Sequence, residues 1–197
     1  MLFSEYNNMS EKSNIPPGQR ITNKWAVLHI GEVPKFDRAT WDFTTSGLVD
    51  NSLKLTYDEF ISLPSIIVIA DFHCVTAWSK LDNKWEGVLF RTIANFTKIK
   101  PQAKFVSIIC DGGYNTNLPL EVVMDDDILF AYKNNGELIP AEHGYPLRLI
   151  VPKRYGWKSA KWVRKVEFLS DDRPGFWETR GYNNNGDPWK EERYSVD

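Results

Sequence analysis

A cysteine set among polar and aromatic residues is the first group in this chain whose type and surroundings suggest chemistry. Cys74 stands in Asp71-Phe-His-Cys-Val-Thr-Ala-Trp-Ser-Lys-Leu-Asp-Asn-Lys-Trp85, flanked by His73, Thr76, Trp78 and Lys80. The thiolate is the form that attacks electrophiles and binds soft metals, and a nearby cation such as Lys80 favours it. The competing reading is a small buried hydrophobe. A cysteine hydrolase using His73 or His143 fits less well, because adjacent strand residues face opposite ways and His73 is then misplaced as a base. Arg148 is the second candidate. It interrupts the apolar run Pro146-Leu-Arg-Leu-Ile-Val-Pro152, where a guanidinium needs an anion, and a phosphate would serve. Tyr155-Gly-Trp-Lys-Ser-Ala-Lys161 adds a glycine, a hydroxyl and two ammoniums, the parts of an anion cradle. A lysine-rich surface loop would have the same composition.

These groups need rigid supports. Ile66-Ile67-Val68-Ile69-Ala70 is β-branched, uncharged and follows Pro64, which predicts a strand buried on both faces that delivers Cys74 at its end. Ahead of it, Thr56-x-x-Glu59 forms a capping box, with Leu55 and Phe60 as a staple, and Pro64 stops the short helix. Residues 41–49 alternate as a half-buried strand. Leu89, Ile93 and Phe96 form one helical stripe ending before Pro101. Residues 104–110 read as a strand, so Cys110 also sits at a strand end, before the Asp111-Gly-Gly turn, and is read as a structural thiol and not a metal ligand. Residues 119–124 suggest one or two helical turns. Asp125-Asp-Asp127 reads as a solvated loop, since consecutive carboxylates do not converge on a metal unaided. Residues 128–132 are strand or helix, Asn134-Asn-Gly136 is a hairpin-like turn, and residues 162–169 alternate as a last strand. Residues 1–20 are expected to form a flexible or draped arm, 21–170 the domain, and 171–197 an aromatic tail packed over it through Trp177, Tyr182 and Trp189.

Four segments, in order, resemble those of one family. His73-Cys74-Val-Thr-Ala-Trp-Ser79 with Trp85-x-Gly87, Ala103-Lys-Phe-Val106, His143-Gly-Tyr-Pro-Leu-Arg148 and Tyr155-Gly-Trp-Lys-Ser-Ala-Lys161 are similar to the sulfite oxidase family of molybdopterin proteins, which includes bacterial methionine-sulfoxide reductases. The resemblance implies an α+β fold with mixed sheets and a molybdenum-molybdopterin cofactor. It makes Cys74 the catalytic residue and the one protein ligand to molybdenum. It also implies cofactor contacts from Trp25, Leu28, His29, Cys110, His143, Arg148, Ser159, Ala160 and Lys161; for His29, a satisfied buried histidine is the competing reading. The implied activity is two-electron oxygen-atom transfer on a small molecule, with a separate electron-transfer protein, commonly a haem protein, exchanging electrons singly.

Two departures bear on the substrate. Sulfite oxidases carry an arginine five positions after the cysteine, where this chain has Ser79 followed by Lys80; the reductases carry a glutamate two positions after it, where this chain has Thr76. Sites that select oxyanions surround them with arginine forks. An S- or N-oxide is therefore expected over sulfite. The alternatives are sulfite-oxidase-like oxidation of a small oxyanion and a non-catalytic binding protein retaining the fold.

Composition bounds the remaining classes. The 197 residues, 42% hydrophobic, make one domain with a sizeable core. A net charge of −2, with its cations dispersed, gives no footprint for nucleic acid. The longest apolar runs are about eight residues, against the roughly 20 that cross a bilayer. No export signal is recognised in residues 1–20. Two cysteines make neither a disulfide framework nor a zinc motif, so a cytoplasmic location is expected. The eight tryptophans suit a core and a cofactor cleft.

Overall fold

The computed structural model describes residues 15–195; most of the expected arm, residues 1–14, lies outside the described residues. In chain order the elements are β1 (Arg20–Ile21), β2 (Asp42–Gly47), β3 (Lys54–Thr56), α1 (Tyr57–Ile61), β4 (Ile66–Cys74), β5 (Trp78–Leu89), α2 (Phe90–Thr97), β6 (Phe105–Cys110), β7 (Asn115–Pro119), α3 (Leu120–Val123), β8 (Leu129–Asn134), β9 (Glu137–Leu138), β10 (Arg148–Ile150) and β11 (Val163–Leu169). One sheet runs β1-β5-β8-β10, with β4 paired to β5 and β9 to β8; the other runs β3-β2-β11-β6-β7. The β1–β5 and β2–β11 pairs are parallel and the other pairs antiparallel. This is the α+β, mixed-sheet architecture that the motifs implied.

Aromatic side chains join the two sheets. Phe43 of β2 lies 5.3 Å from Phe130 of β8, ring centre to ring centre, and 4.9 Å from Phe60 of α1, while Phe90 of α2 stacks on Phe130 at 5.6 Å. All four are fully buried, and each contributes roughly 1.5–3 kcal/mol of transfer free energy. A smaller cluster of Phe72, Trp78, Trp85, Leu129, Ala131, Ile139 and Ile150 lies under Cys74. Cys74 itself belongs to this cluster.

Local signals translate directly where the structure they specify is local. The capping box forms, with Glu59 N–H donating to Thr56 Oγ1 at 3.3 Å and Thr56 N–H to Glu59 Oε2 at 2.8 Å. Asn135 and Gly136 turn the chain from β8 to β9 with φ of 53° and 89°, the pair of positive angles a tight hairpin demands. That pairing settles the open choice at residues 128–132 in favour of a strand, β8, which runs Leu129–Asn134.

Two expectations are corrected by packing, and a third is narrowed. β4 is an edge strand, not one buried on both faces: Ile67 and Ile69 are each 63% exposed, and burial begins only at Phe72. Its β-branched composition specified extended backbone, while its place beside β5 alone set its exposure. The buried face of α2 is Phe90, Ile93, Ala94 and Thr97, and Phe96 is exposed; Leu89 belongs to β5, so the apolar stripe starts one residue later. Residues 15–20 do not hang loose, since Pro16 is buried and Arg20 pairs with Trp78. Among the described residues, no helix is long and apolar enough to cross a membrane.

Candidate active site

β4 and β5 form an antiparallel hairpin whose last register pair is Cys74 and Trp78. A three-residue turn, Val75-Thr76-Ala77, joins them, with Ala77 in the left-handed region at φ 66°. Cys74 thus stands at the hairpin tip and lines a cavity of about 360 Å³. Its Sγ lies 3.1 Å from Thr76 Oγ1. His73 faces the other way, with Nδ1 2.8 Å from Ser79 Oγ and its ring edge on Trp189. No Cys-His hydrolase pair exists there. Lys80 does not serve the thiol either, because its ammonium donates to Asn83 Oδ1. Two other cations, Arg148 and Lys161, line the same cavity as Cys74.

Arg148, on β10, is 2% exposed. Its Nη1 donates to the His143 carbonyl at 2.7 Å, its guanidinium lies 4.9 Å from the Phe72 ring centre and 5.5 Å from that of Trp25, and its Nε is buried without a partner among the described residues. Burial pulls its pKa down to about 9. Lys161 Nζ donates to the Glu142 carbonyl at 2.7 Å, and burial followed by the Arg148 charge lowers it to about 7. Neither has a carboxylate ion-pair partner among the described residues. A buried and a half-buried cation held together without an anion are unfavourable by themselves. His143 stacks on Trp25 at 4.0 Å; burial first, then Lys161 and Arg148, hold its pKa at about 4, so at pH 7 it is neutral.

The 155–161 turn reaches the cavity by close backbone approach. A Cβ on Gly156 would come within 2.4 Å of the Phe72 ring, and Gly156 N–H donates to the His73 carbonyl at 2.7 Å. Only glycine lets the turn lie this near the cysteine hairpin. Ser159 Oγ accepts Val151 N–H at 3.0 Å, leaving its own proton to donate.

Of the residues expected at the site, Trp25, Leu28, His29, Cys74, Arg148, Ser159, Ala160 and Lys161 line the one cavity, and His143 lies behind Trp25. His29 is exposed and its Nδ1 meets the Gly31 carbonyl at 3.2 Å, which removes the buried-histidine reading. Cys110 does not line the cavity. The end of β6 points it into the main core, where burial raises its thiol pKa. Lys158, counted with the cradle, is turned away too: its ammonium is fully buried on Glu178 at 2.6 Å and the Asn117 carbonyl at 2.8 Å.

Sequence reasoning missed Tyr114, Trp157, Trp177 and Tyr182 as cavity walls. Their aromatic content was visible, but no spacing shows that the segment after 171 returns to the cysteine. Trp177 and Tyr182 stack at 4.8 Å, Tyr182 meets Trp157 at 5.0 Å, and Glu178 accepts hydrogen bonds from Trp157 Nε1 and Thr116 Oγ1.

A soft donor, two cations without a carboxylate partner and aromatic side chains lining one cavity define a cleft for a phosphate-bearing, metal-carrying organic cofactor in a redox enzyme. The orphaned Arg148 Nε and the unpaired charges of Arg148 and Lys161 show that molybdopterin fits the residues present. Residues 30–177 match the oxidoreductase molybdopterin binding domain. The chain belongs to that family and is a molybdopterin-dependent oxidoreductase of the sulfite oxidase kind. It is 40% identical to the uncharacterized oxidoreductase YuiH of Bacillus subtilis (strain 168), covering the whole of both chains. It is 31% identical to the putative protein-methionine-sulfoxide reductase subunit YedZ1 of Azospira oryzae, over 77% of this chain and 58% of that one. A match to the NADH nitrate reductase of Volvox carteri, at 27% identity, spans 21% of that enzyme. The fold superposes on the sulfane dehydrogenase SoxCD of Paracoccus pantotrophus with a TM-score of 0.65 and 23% identity, over 76% of this chain and 42% of that one.

Proposed function

We propose that this oxidoreductase reduces a neutral S- or N-oxide and that Cys74 is its protein ligand to molybdenum. In this reading Arg148, Lys161 and Ser159 bind the cofactor's phosphate, a dianion able to neutralise both cations, while Trp25, Leu28, His29, His143 and Ala160 border its ring system. The bound cofactor supplies two-electron oxygen-atom transfer. The protein's share is orientation, exclusion of water and control of protons. Thr76 Oγ1 holds the Cys74 sulfur in place by a hydrogen bond, and Trp78, Trp177 and Tyr114 wall the reacting side from solvent. The Tyr182 hydroxyl, its pKa raised by burial, stays protonated and able to donate to a substrate oxygen.

The observation carrying the choice of substrate is Ser79. It occupies the position where an oxyanion-selecting arginine is expected, yet it is fully buried, bonded to His73 and turned out of the cavity. Arg148 is the only guanidinium lining the cavity among the described residues, and the phosphate claims it. A sulfoxide needs just a donor and an apolar wall. The name of the YedZ1 relative points the same way, and its designation as a subunit supports a separate electron-transfer protein as partner, a haem protein being the candidate.

Steady-state turnover tests the reading. Methionine sulfoxide and trimethylamine N-oxide, assayed with reduced viologen, should be reduced far faster than sulfite is oxidised with an artificial one-electron acceptor. Robust sulfite turnover with a micromolar KM overturns it.

A further inference from the structure

We propose that the two chain ends clamp the Cys74 turn, with Gln19 and Arg193 as positioning residues for its thiol. Three of the turn's carbonyls are held by residues from outside the hairpin. Gln19 Nε2 donates to the Cys74 carbonyl at 3.1 Å, which also accepts Ala77 N–H at 3.1 Å. Arg20 N–H donates to the Ala77 carbonyl at 3.1 Å. From the other end of the chain, Arg193 Nη1 donates to the Val75 carbonyl, and its guanidinium is steadied 5.0 Å over the Tyr155 ring. Gln19, Arg20 and Arg193 all fall outside residues 30–177, the span of the family match. Beyond its own Ala77 N–H to Cys74 carbonyl bond, the turn gains restraint from these contacts, since Ala77 sits at φ 66°, a conformation that disfavours a residue with a Cβ. The ends supply the restraint. Losing one such bond should raise the population of an opened turn by up to about tenfold, the equivalent of about 1.4 kcal/mol.

The test uses the cofactor-free full chain carrying Cys110→Ser, so that Cys74 is its one thiol. The rate of reaction of Cys74 with an aromatic disulfide reagent is measured at one pH. Gln19→Ala and Arg193→Ala should each raise it about three- to tenfold, and Arg193→Lys, which keeps a donor for the Val75 carbonyl, should recover part of the difference. Arg173→Ala, which breaks an exposed tail ion pair with Glu167, should leave the rate unchanged. Should an alanine variant lose its cooperative melt, Gln19→Glu replaces the amide donor with an acceptor at the same size and should raise the rate alike. Rates within about twofold of the parent in folded Gln19 and Arg193 variants overturn the clamp. The loaded protein gives a second readout, a shift of its visible charge-transfer absorption in the same two variants. That readout rests on Cys74 being the metal ligand, whereas the thiol rate does not, so the two proposals fail separately.

Discussion

Cys74 and Arg148 were legible in the sequence because each is a residue type out of place in its run, a thiol among polar groups and a charge among apolar ones. The lysines were not. Lys80, Lys158 and Lys161 look alike in the sequence, yet the fold gives Lys80 to Asn83, buries Lys158 on Glu178, and leaves only Lys161 facing the cavity beside Arg148. A flexible four-carbon stem can turn either way, and only tertiary packing decides. Cys74→Ser is expected to abolish the charge-transfer bands and lower the molybdenum content, while Cys110→Ser, in the main core, leaves both intact. Metal analysis and visible spectra of the two variants check this; retained bands in Cys74→Ser would reverse it. Charge-assisted bonds to an anion contribute about 1.5–3 kcal/mol each. Arg148→Ala and Lys161→Ala should therefore each weaken cofactor retention by roughly ten- to a hundredfold, read as occupancy after dilution, and full occupancy in both would place the phosphate elsewhere.

Elements specified by neighbours in sequence could be read in advance, and those specified by neighbours in space could not. The capping box of α1 and the Asn-Gly turn after β8 are complete within four residues. The exposure of β4 and the buried face of α2 depend on which strands and helices lie beside them, which propensity does not encode. The same division predicts two different mutant phenotypes. Thr56→Ala removes a cap and should lower stability by about 1 kcal/mol without altering cofactor binding, because α1 lies away from the cavity. Gly156→Ala should do the converse. Its Cβ would overlap the Phe72 ring, so the 155–161 turn must retreat, carrying Ser159 and Lys161 from the phosphate position while the two sheets stay packed. Denaturant melts and cofactor content, measured together, separate the cases; a Gly156→Ala protein with normal cofactor content would show that the turn tolerates the retreat.

At the scale of the whole molecule, the cavity is assembled from segments far apart in the chain, with Trp25 on one side, the β4–β5 hairpin on another, and Arg148, the 155–161 turn and Tyr182 completing it. No periodicity connects them, and so the walls were less legible than the chemical groups. This assembly also stores an electrostatic penalty in the cofactor-free protein. Folding lowers Lys161 to about 7 and Arg148 to about 9, both through burial, so between pH 7 and 9 these two groups bind more protons in the unfolded chain than in the folded one. Stability then rises with pH across that window, since it increases wherever the unfolded state holds the extra protons. A bound phosphate reverses the preference by stabilising the charged forms, and the loaded protein should lose this dependence. Lys161→Met removes the group that titrates first. It should raise the Tm of the cofactor-free protein at pH 7, with the advantage over the parent shrinking toward pH 10 as the parent's lysine discharges in both states. Thermal melts of parent and Lys161→Met, each with and without cofactor, decide the matter: parallel Tm profiles in the cofactor-free pair would mean that Lys161 is solvated and that the anion site is not built around it.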